Sequence, residues 1–183
     1  MIDLFIGWPA LHTNDMRAYA DGNEQQAWSA AGVLYADVGF HRVKRMEVLV
    51  SAGLGLSSTR YILDDWHFDA ATWTGEADLT ARWYAGGDKV RASWEFGLGP
   101  HLRVGLPDWS DGRLDLGAGG HTALSVEFGP GPVRPMLQGR LACTIAPGYS
   151  SGDITLPEGM FYWSYSPSSA RAVLLVGAAF GAR

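Results

Sequence analysis

His121, Ser125 and Glu127 fall at the same parity of one alternating segment, with Asp115 farther along it. A base, a hydroxyl nucleophile and an orienting acid are therefore nominally available for acyl chemistry. On an extended chain, however, His121 and Ser125 stand about 13 Å apart. That is beyond hydrogen-bond reach, so an internal polar network is the favoured reading and a catalytic set is not. Asp64, Asp65, His67 and Asp69 offer oxygens to a cation, but their spacing lacks the EF-hand pattern and its glycine. A solvated loop accounts for them, and no metal or cofactor is expected. Phe161-Tyr162-Trp163-Ser164-Tyr165 is an aromatic run suited to resting on a membrane interface or to meeting a partner. The single Cys143 excludes an internal disulfide and a multi-cysteine zinc site. Its parity is that of Leu137, Leu141 and Ile145, so it reads as a small apolar residue.

The elements that position these residues show in the period-two pattern. From Val90 to Leu106 every second residue is apolar: Val90, Ala92, Trp94, Phe96, Leu98, Pro100, Leu102, Val104 and Leu106. The intervening positions carry Arg91, Ser93, Glu95, His101 and Arg103 among glycines. Such alternation marks a strand between two unlike environments, and the run is far longer than a usual globular strand. Eight such segments are predicted: Ile2–His12, Gln26–His41, Met46–Tyr61, Ala70–Tyr84, Val90–Leu106, Leu114–Phe128, Val133–Pro147 and Ala170–Gly181. Leu49 breaks the third; Phe5, Leu11, Val173 and Leu175 sit at the polar parity of the first and last. Pro100 removes a ladder donor, so a bulge is expected there. Short connections (42–45, 85–89 and 129–132) alternate with longer polar ones (13–25, 62–69, 107–113 and 148–169). The 183 residues are read as one domain, long enough to close an eight-stranded barrel.

Charge decides which face is inside. The net charge is −5, a balance that argues against a nucleic-acid footprint, which needs clustered basic residues. The chain has only two lysines, Lys44 and Lys89, both in short turns; its other basic residues are arginines. A water-soluble surface would spread lysine widely. The polar face carries Glu47, Glu76, Asp78, Arg82, Arg91, Glu95, Arg103, Glu127 and Arg140, both signs together, as a crowded interior of paired charges requires. On the apolar face, aromatic residues gather near the strand ends. Trp8, Trp28 and Trp73 lie toward the long connections; Phe40, Trp83, Phe128 and Phe180 lie toward the short turns. From Trp28 to Phe40 and from Trp73 to Trp83 the rise is about 25 Å for a tilted strand, the height of a lipid-facing band with its two girdles. The reverse orientation, apolar face inward, describes a soluble lipocalin-like binder.

These features predict an all-β chain: an eight-stranded antiparallel up-and-down transmembrane β-barrel. It resembles the small bacterial outer-membrane barrels, the group of OmpA-type transmembrane domains, OmpX-like and opacity-type proteins, in architecture and without a family motif. Phe180, three residues from the end, occupies nearly the place of the terminal aromatic that such barrels present for assembly. The start, Met1 followed by Ile2-Asp3-Leu4-Phe5, reads as a mature chain without a leader. The resemblance implies residence in the bacterial outer membrane among lipid, with lipopolysaccharide or a surface partner met through the long loops and no nucleic acid. An interior filled by side chains leaves no general porin role. Some outer-membrane barrels are lipid A deacylases or acyltransferases, which keeps a lipid-modifying enzyme as the alternative, although the His-x-Ser-Asn signature of the deacylases is missing.

Overall fold

A computed structural model describes residues 1–12, 16–20, 23–24, 28–63, 66–109, 111–156 and 159–181. Eight strands close into an antiparallel ring. They are β1 (Ile2–His12), β4 (Trp28–Val43), β5 (Met46–Leu63), β6 (Trp66–Gly86), β7 (Val90–Pro107), β8 (Arg113–Phe128), β9 (Val133–Ile145) and β12 (Ser169–Phe180), with β1 pairing both β12 and β4. Closure gives every strand two neighbours, so the wall satisfies its own backbone hydrogen bonds, which hydrocarbon demands. Burial follows the parity of the residues: β9 alternates exposed and buried without a break from Val133 to Ile145.

The apolar face points outward. Leu116, Leu124, Leu79 and Ile145 are 62–73 % exposed, while Arg82, Glu95, Arg134 and Arg140 are at most 1 % exposed. In water such a surface would be untenable; in hydrocarbon it is required. The barrel is therefore transmembrane, and the lipocalin-like orientation is excluded because, among the described residues, no tryptophan wraps a central hollow. Trp8, Phe40, Trp73, Trp83, Phe128 and Phe180 all face out. Trp28 lies in β4, and its side chain is outside the described residues.

Three expectations are corrected. Pro100 causes no bulge. β7 pairs with β8 straight through Pro100↔Ala118, and the β6–β7 register is the same on both sides, Glu76↔His101 and Leu79↔Leu98. The missing N–H faces β6, where the paired ladder simply lapses opposite Gly99 and Pro100. The bulges fall elsewhere, between Pro9 and Leu11 against β12 and between Gly39 and His41 against β5. Phe40 is thus the extra residue, which leaves it on the outer face. Second, the connection at 62–69 is mostly strand: pairing of β5 with β6 continues to Leu63↔Trp66. Asp64 and Asp65 lie outside the described residues. Third, the first and last long connections contain strands. β2 (Met16–Ala20), β3 (Asn23–Glu24), β10 (Ser150–Leu156) and β11 (Gly159–Tyr165) form a second sheet in the order β10-β11-β2-β3.

The short-turn rim is tight. Val43 pairs with Met46 across a two-residue turn in which Lys44 has φ +52°. Backbone bonds from Tyr84 N to the Arg45 carbonyl (2.8 Å) and from Gly129 N to the Lys89 carbonyl (2.8 Å) tie neighbouring hairpins together.

Candidate functional site

The interior is built in layers, each from strands far apart in sequence. Arg82 of β6 sits among three carboxylates. Its Nε donates to Glu95 of β7 at 2.7 Å, and its two terminal nitrogens donate to Asp3 of β1 and Asp37 of β4. Arg140 of β9 donates to the other oxygen of Glu95 (2.9 Å) and to Ser51 (3.1 Å), and its guanidinium lies 4.1 Å from the centre of the Tyr35 ring. Gln138 bridges Glu95 (3.0 Å) and Ser125 (2.9 Å), and Ser51 donates to Asp37 at 2.5 Å. Planar, permanently charged guanidinium suits this many-partner role, which the point charge of lysine does not.

The layer toward the long loops centres on Asp78, which binds His101 Nε2 at 3.1 Å and His121 Nδ1 at 2.5 Å. His101 Nδ1 meets Thr144 Oγ1 at 2.6 Å. Glu76 pairs with Arg171 and accepts from the Tyr35 hydroxyl at 3.1 Å. Glycines on the facing strands make room for the two imidazoles: a Cβ on Gly97 would meet His121, and one on Gly119 would meet His101. Toward the short turns, Arg134 donates to Glu127 (2.8 Å) and to the Gly181 carbonyl (3.0 Å), and Tyr84 donates to Glu47. The Arg91 guanidinium lies 5.1 Å from the Tyr84 ring. At the opposite end Arg103 donates to the Pro167 carbonyl at 2.9 Å.

His121, Ser125 and Glu127 thus enter three separate partnerships, with Asp78, Gln138 and Arg134, and do not assemble a nucleophile with its base. A hydroxyl–imidazole–carboxylate line does exist at Thr144–His101–Asp78, but all three residues are buried. It lies beneath the Arg103–Pro167 contact. Glu76, Asp78 and His101 bring one ligand atom each within 4.8 Å of one another, a donor set able to take a divalent cation. Arg171 already supplies Glu76 with positive charge, so the set reads as part of the ion-pair network.

The interior is not wholly ionic. Phe5, Val33, Tyr35, Met136, Val173, Leu175 and Ala179 form a buried apolar cluster lining β1, β4, β9 and β12. This explains why Phe5, Val173 and Leu175 stand at the polar parity: they point inward and pack on one another. Leu49 is likewise inside, at 1 % exposure.

Above the long-loop rim, a second apolar cluster forms a cap. Tyr61, Ala70, Phe161 and Tyr165 are buried, with Phe68, Trp109, Ile154 and Trp163 packed on them. Phe68 stacks on Phe161 at 4.6 Å, and Trp109 stands edge-on to Tyr61 (5.8 Å), Phe68 (6.0 Å) and Phe161 (5.8 Å). The aromatic run of β11 therefore splits by parity. Phe161 and Tyr165 are the cap's core, whereas Tyr162 stays exposed, as do Tyr149 and Met160 nearby. Arg60 clamps Asp69 with two bonds of 2.7 and 2.6 Å at the base of this cap, and those bonds hold the Asp69 carboxyl below its ordinary pKa.

Sequence reasoning missed His101 and Asp3 as network members. Their inward parity was legible, but their partners lie on other strands. No protein-family model and no curated protein matches the chain. Solved structures similar to it along nearly its whole length include three barrels. Neisserial surface protein A is 8 % identical, with 97 % of this chain and 93 % of that one covered and a TM-score of 0.48. The N-terminal β-barrel domain of Pseudomonas aeruginosa OprF is 13 % identical, with 97 % and 96 % covered and a TM-score of 0.44. Ail, the attachment invasion locus protein of Yersinia pestis, in complex with the heparin analogue sucrose octasulfate, is 9 % identical, with 95 % and 97 % covered and a TM-score of 0.41.

Proposed function

We propose that this chain is a non-conducting barrel of the bacterial outer membrane that acts at the cell surface through its cap. The observation that carries this reading is the cap itself: two connections remote in sequence build one sheet over a shared aromatic core. A merely solvated loop has no need of such a core. Beneath it, the paired charges from Arg103 down to Arg134 fill the bore, which supports a closed barrel. Placement in the outer membrane follows from architecture, since closed antiparallel barrels with short turns on one rim and long loops on the other are characteristic of that membrane.

Sign narrows the partner. The four long connections carry ten acidic residues and only two basic ones, Arg17 and Arg113. A surface of that charge favours a partner with a basic face and engages lipopolysaccharide phosphates only through bridging divalent cations. Exposed Tyr149, Met160 and Tyr162 supply the apolar anchors of such a contact.

The test has two arms. Folded protein in planar bilayers is expected to show no conductance steps. Cells displaying the full chain are expected to adhere to a poly-L-lysine surface in a salt-sensitive way. That adhesion is expected to fall when residues 149–166 are replaced by a short linker, with heat-shifted gel migration confirming a folded barrel. Steady conductance, or adhesion indifferent to the replacement, would remove the reading.

A further inference from the structure

We propose that the short-turn rim between β4 and β7 is a docking surface for anionic phospholipid headgroups. Five exposed basic or titratable side chains gather there, His41, Arg42, Lys44, Arg45 and Lys89, against one exposed carboxylate, Asp88, so the sector stays net cationic. They come from two hairpins that touch, since Met46 pairs with Trp83 and Tyr84 N donates to the Arg45 carbonyl at 2.8 Å. Among the described residues, none of Arg42, Lys44, Arg45 or Lys89 takes part in a salt bridge, in contrast to the buried arginines of the bore. Arg42 instead lies 5.1 Å from the Tyr84 ring centre, which holds its guanidinium near the rim. The third short turn, 129–132, carries no charge at all. The basic patch is therefore one sector of the rim and not a general property of the turns.

Two further observations point to lipid as the occupant. Trp83 and Trp94 stack at 4.9 Å on the outer face directly beside this sector, and Trp94 Nε1 donates to Thr122 Oγ1 at 2.9 Å. With Phe40 they form an aromatic ledge of the kind that sits at headgroup depth. Basic side chains one or two residues past such a ledge reach the phosphate level. Lys44 also keeps φ +52°, a conformation that glycine or asparagine adopts readily and other L residues resist. A lysine held there by the turn places its ammonium at the tip of the hairpin, where charge is of use and packing is not. The long-loop rim has the opposite sign, so the barrel presents anionic loops outward and a cationic sector to the inner leaflet.

The experiment uses folded protein in phosphatidylcholine bilayers containing trace spin-labelled phosphatidylglycerol or spin-labelled phosphatidylcholine. The motionally restricted fraction of each label gives the selectivity. Preference for phosphatidylglycerol is expected, weakening as salt is raised. The Arg42→Gln/Lys44→Gln/Arg45→Gln/Lys89→Gln variant is expected to lose it, by roughly fivefold per charge removed. Lys44→Gly, which relieves the backbone, is expected to fold at least as well and still lose about fivefold. Arg17→Gln/Arg60→Gln/Arg113→Gln, on the opposite rim, is expected to keep the full preference. The proposal is overturned by no preference in the unmodified chain, by a salt-insensitive one, by an undiminished one in the fourfold variant, or by its loss in the opposite-rim variant. If the fourfold variant gives no heat-shifted band, Lys44→Gly together with the opposite-rim variant decides.

Discussion

The Arg82 layer of the bore and the cap fill space in the same molecule with opposite chemistry. Around Arg82 the filling is ionic: one guanidinium, three carboxylates, and Arg140 and Gln138 closing the ring. In the cap it is aromatic, with Trp109 edge-on to three neighbours. The difference follows from what lies outside each region. Beside the bore the outer medium is hydrocarbon, so turning an apolar side chain inward rather than outward gains little from the hydrophobic effect. Charges, by contrast, have nowhere else to go. Above the membrane, water returns and apolar burial again drives assembly. The apolar cluster of Phe5 and Leu175 shows that the bore tolerates such residues; it does not select them strongly.

That contrast can be broken, the largest effect first. Arg82→Met strands Asp3, Asp37 and Glu95 without their common cation, and the barrel is expected to lose about 3–5 kcal/mol. Urea unfolding in lipid or detergent, followed by tryptophan fluorescence, measures it. A loss below ~1 kcal/mol would mean the layer is only packing. Phe161→Ala opens a cavity worth about 3 kcal/mol in the cap. Hydrogen exchange in 150–165 is then expected to speed up while the barrel's unfolding midpoint stays put. A shifted midpoint would show the two regions to be one cooperative unit.

Pro100→Ala sharpens the wall's part in the comparison. It restores an N–H facing β6 without altering the register, so a gain on the order of 1 kcal/mol is expected, with the new amide protected from exchange. An unprotected amide at that position would place the interruption in strand separation and not in the missing donor. The smallest effect concerns Asp69. Its carboxyl is held below the ordinary value by the Arg60 bonds, so its contribution is complete above the unfolded-state pKa. It fades as pH falls through the lower folded value. Cap exchange rates are expected to rise slightly below pH 4 in the unmodified chain and not in Asp69→Asn.

Much of the barrel was legible because strand geometry has a fixed period. Val90 to Leu106 gives β7 nearly residue for residue, and the arginines at inward parity are inside. Legibility failed where parity gives no direction. Phe5, Val173 and Leu175 stood at the polar parity as anomalies, and only their mutual packing shows why. The cap failed for another reason. β10 and β11 are short and flanked by polar residues, and the pairing of β11 with β2 depends on contacts across more than a hundred residues of chain.

The alternation of residue types, by itself, determined that this chain forms long two-faced strands and that its charged side chains share one face; period and composition are local and can be read along the chain. Which charge meets which was decided only by closure. Arg82 reaches Asp3 across 79 positions, because the ring sets β1, β4 and β7 around one bore, and no local pattern encodes that meeting. The cap likewise exists only because two loops end on the same rim, where water makes burying their rings favourable.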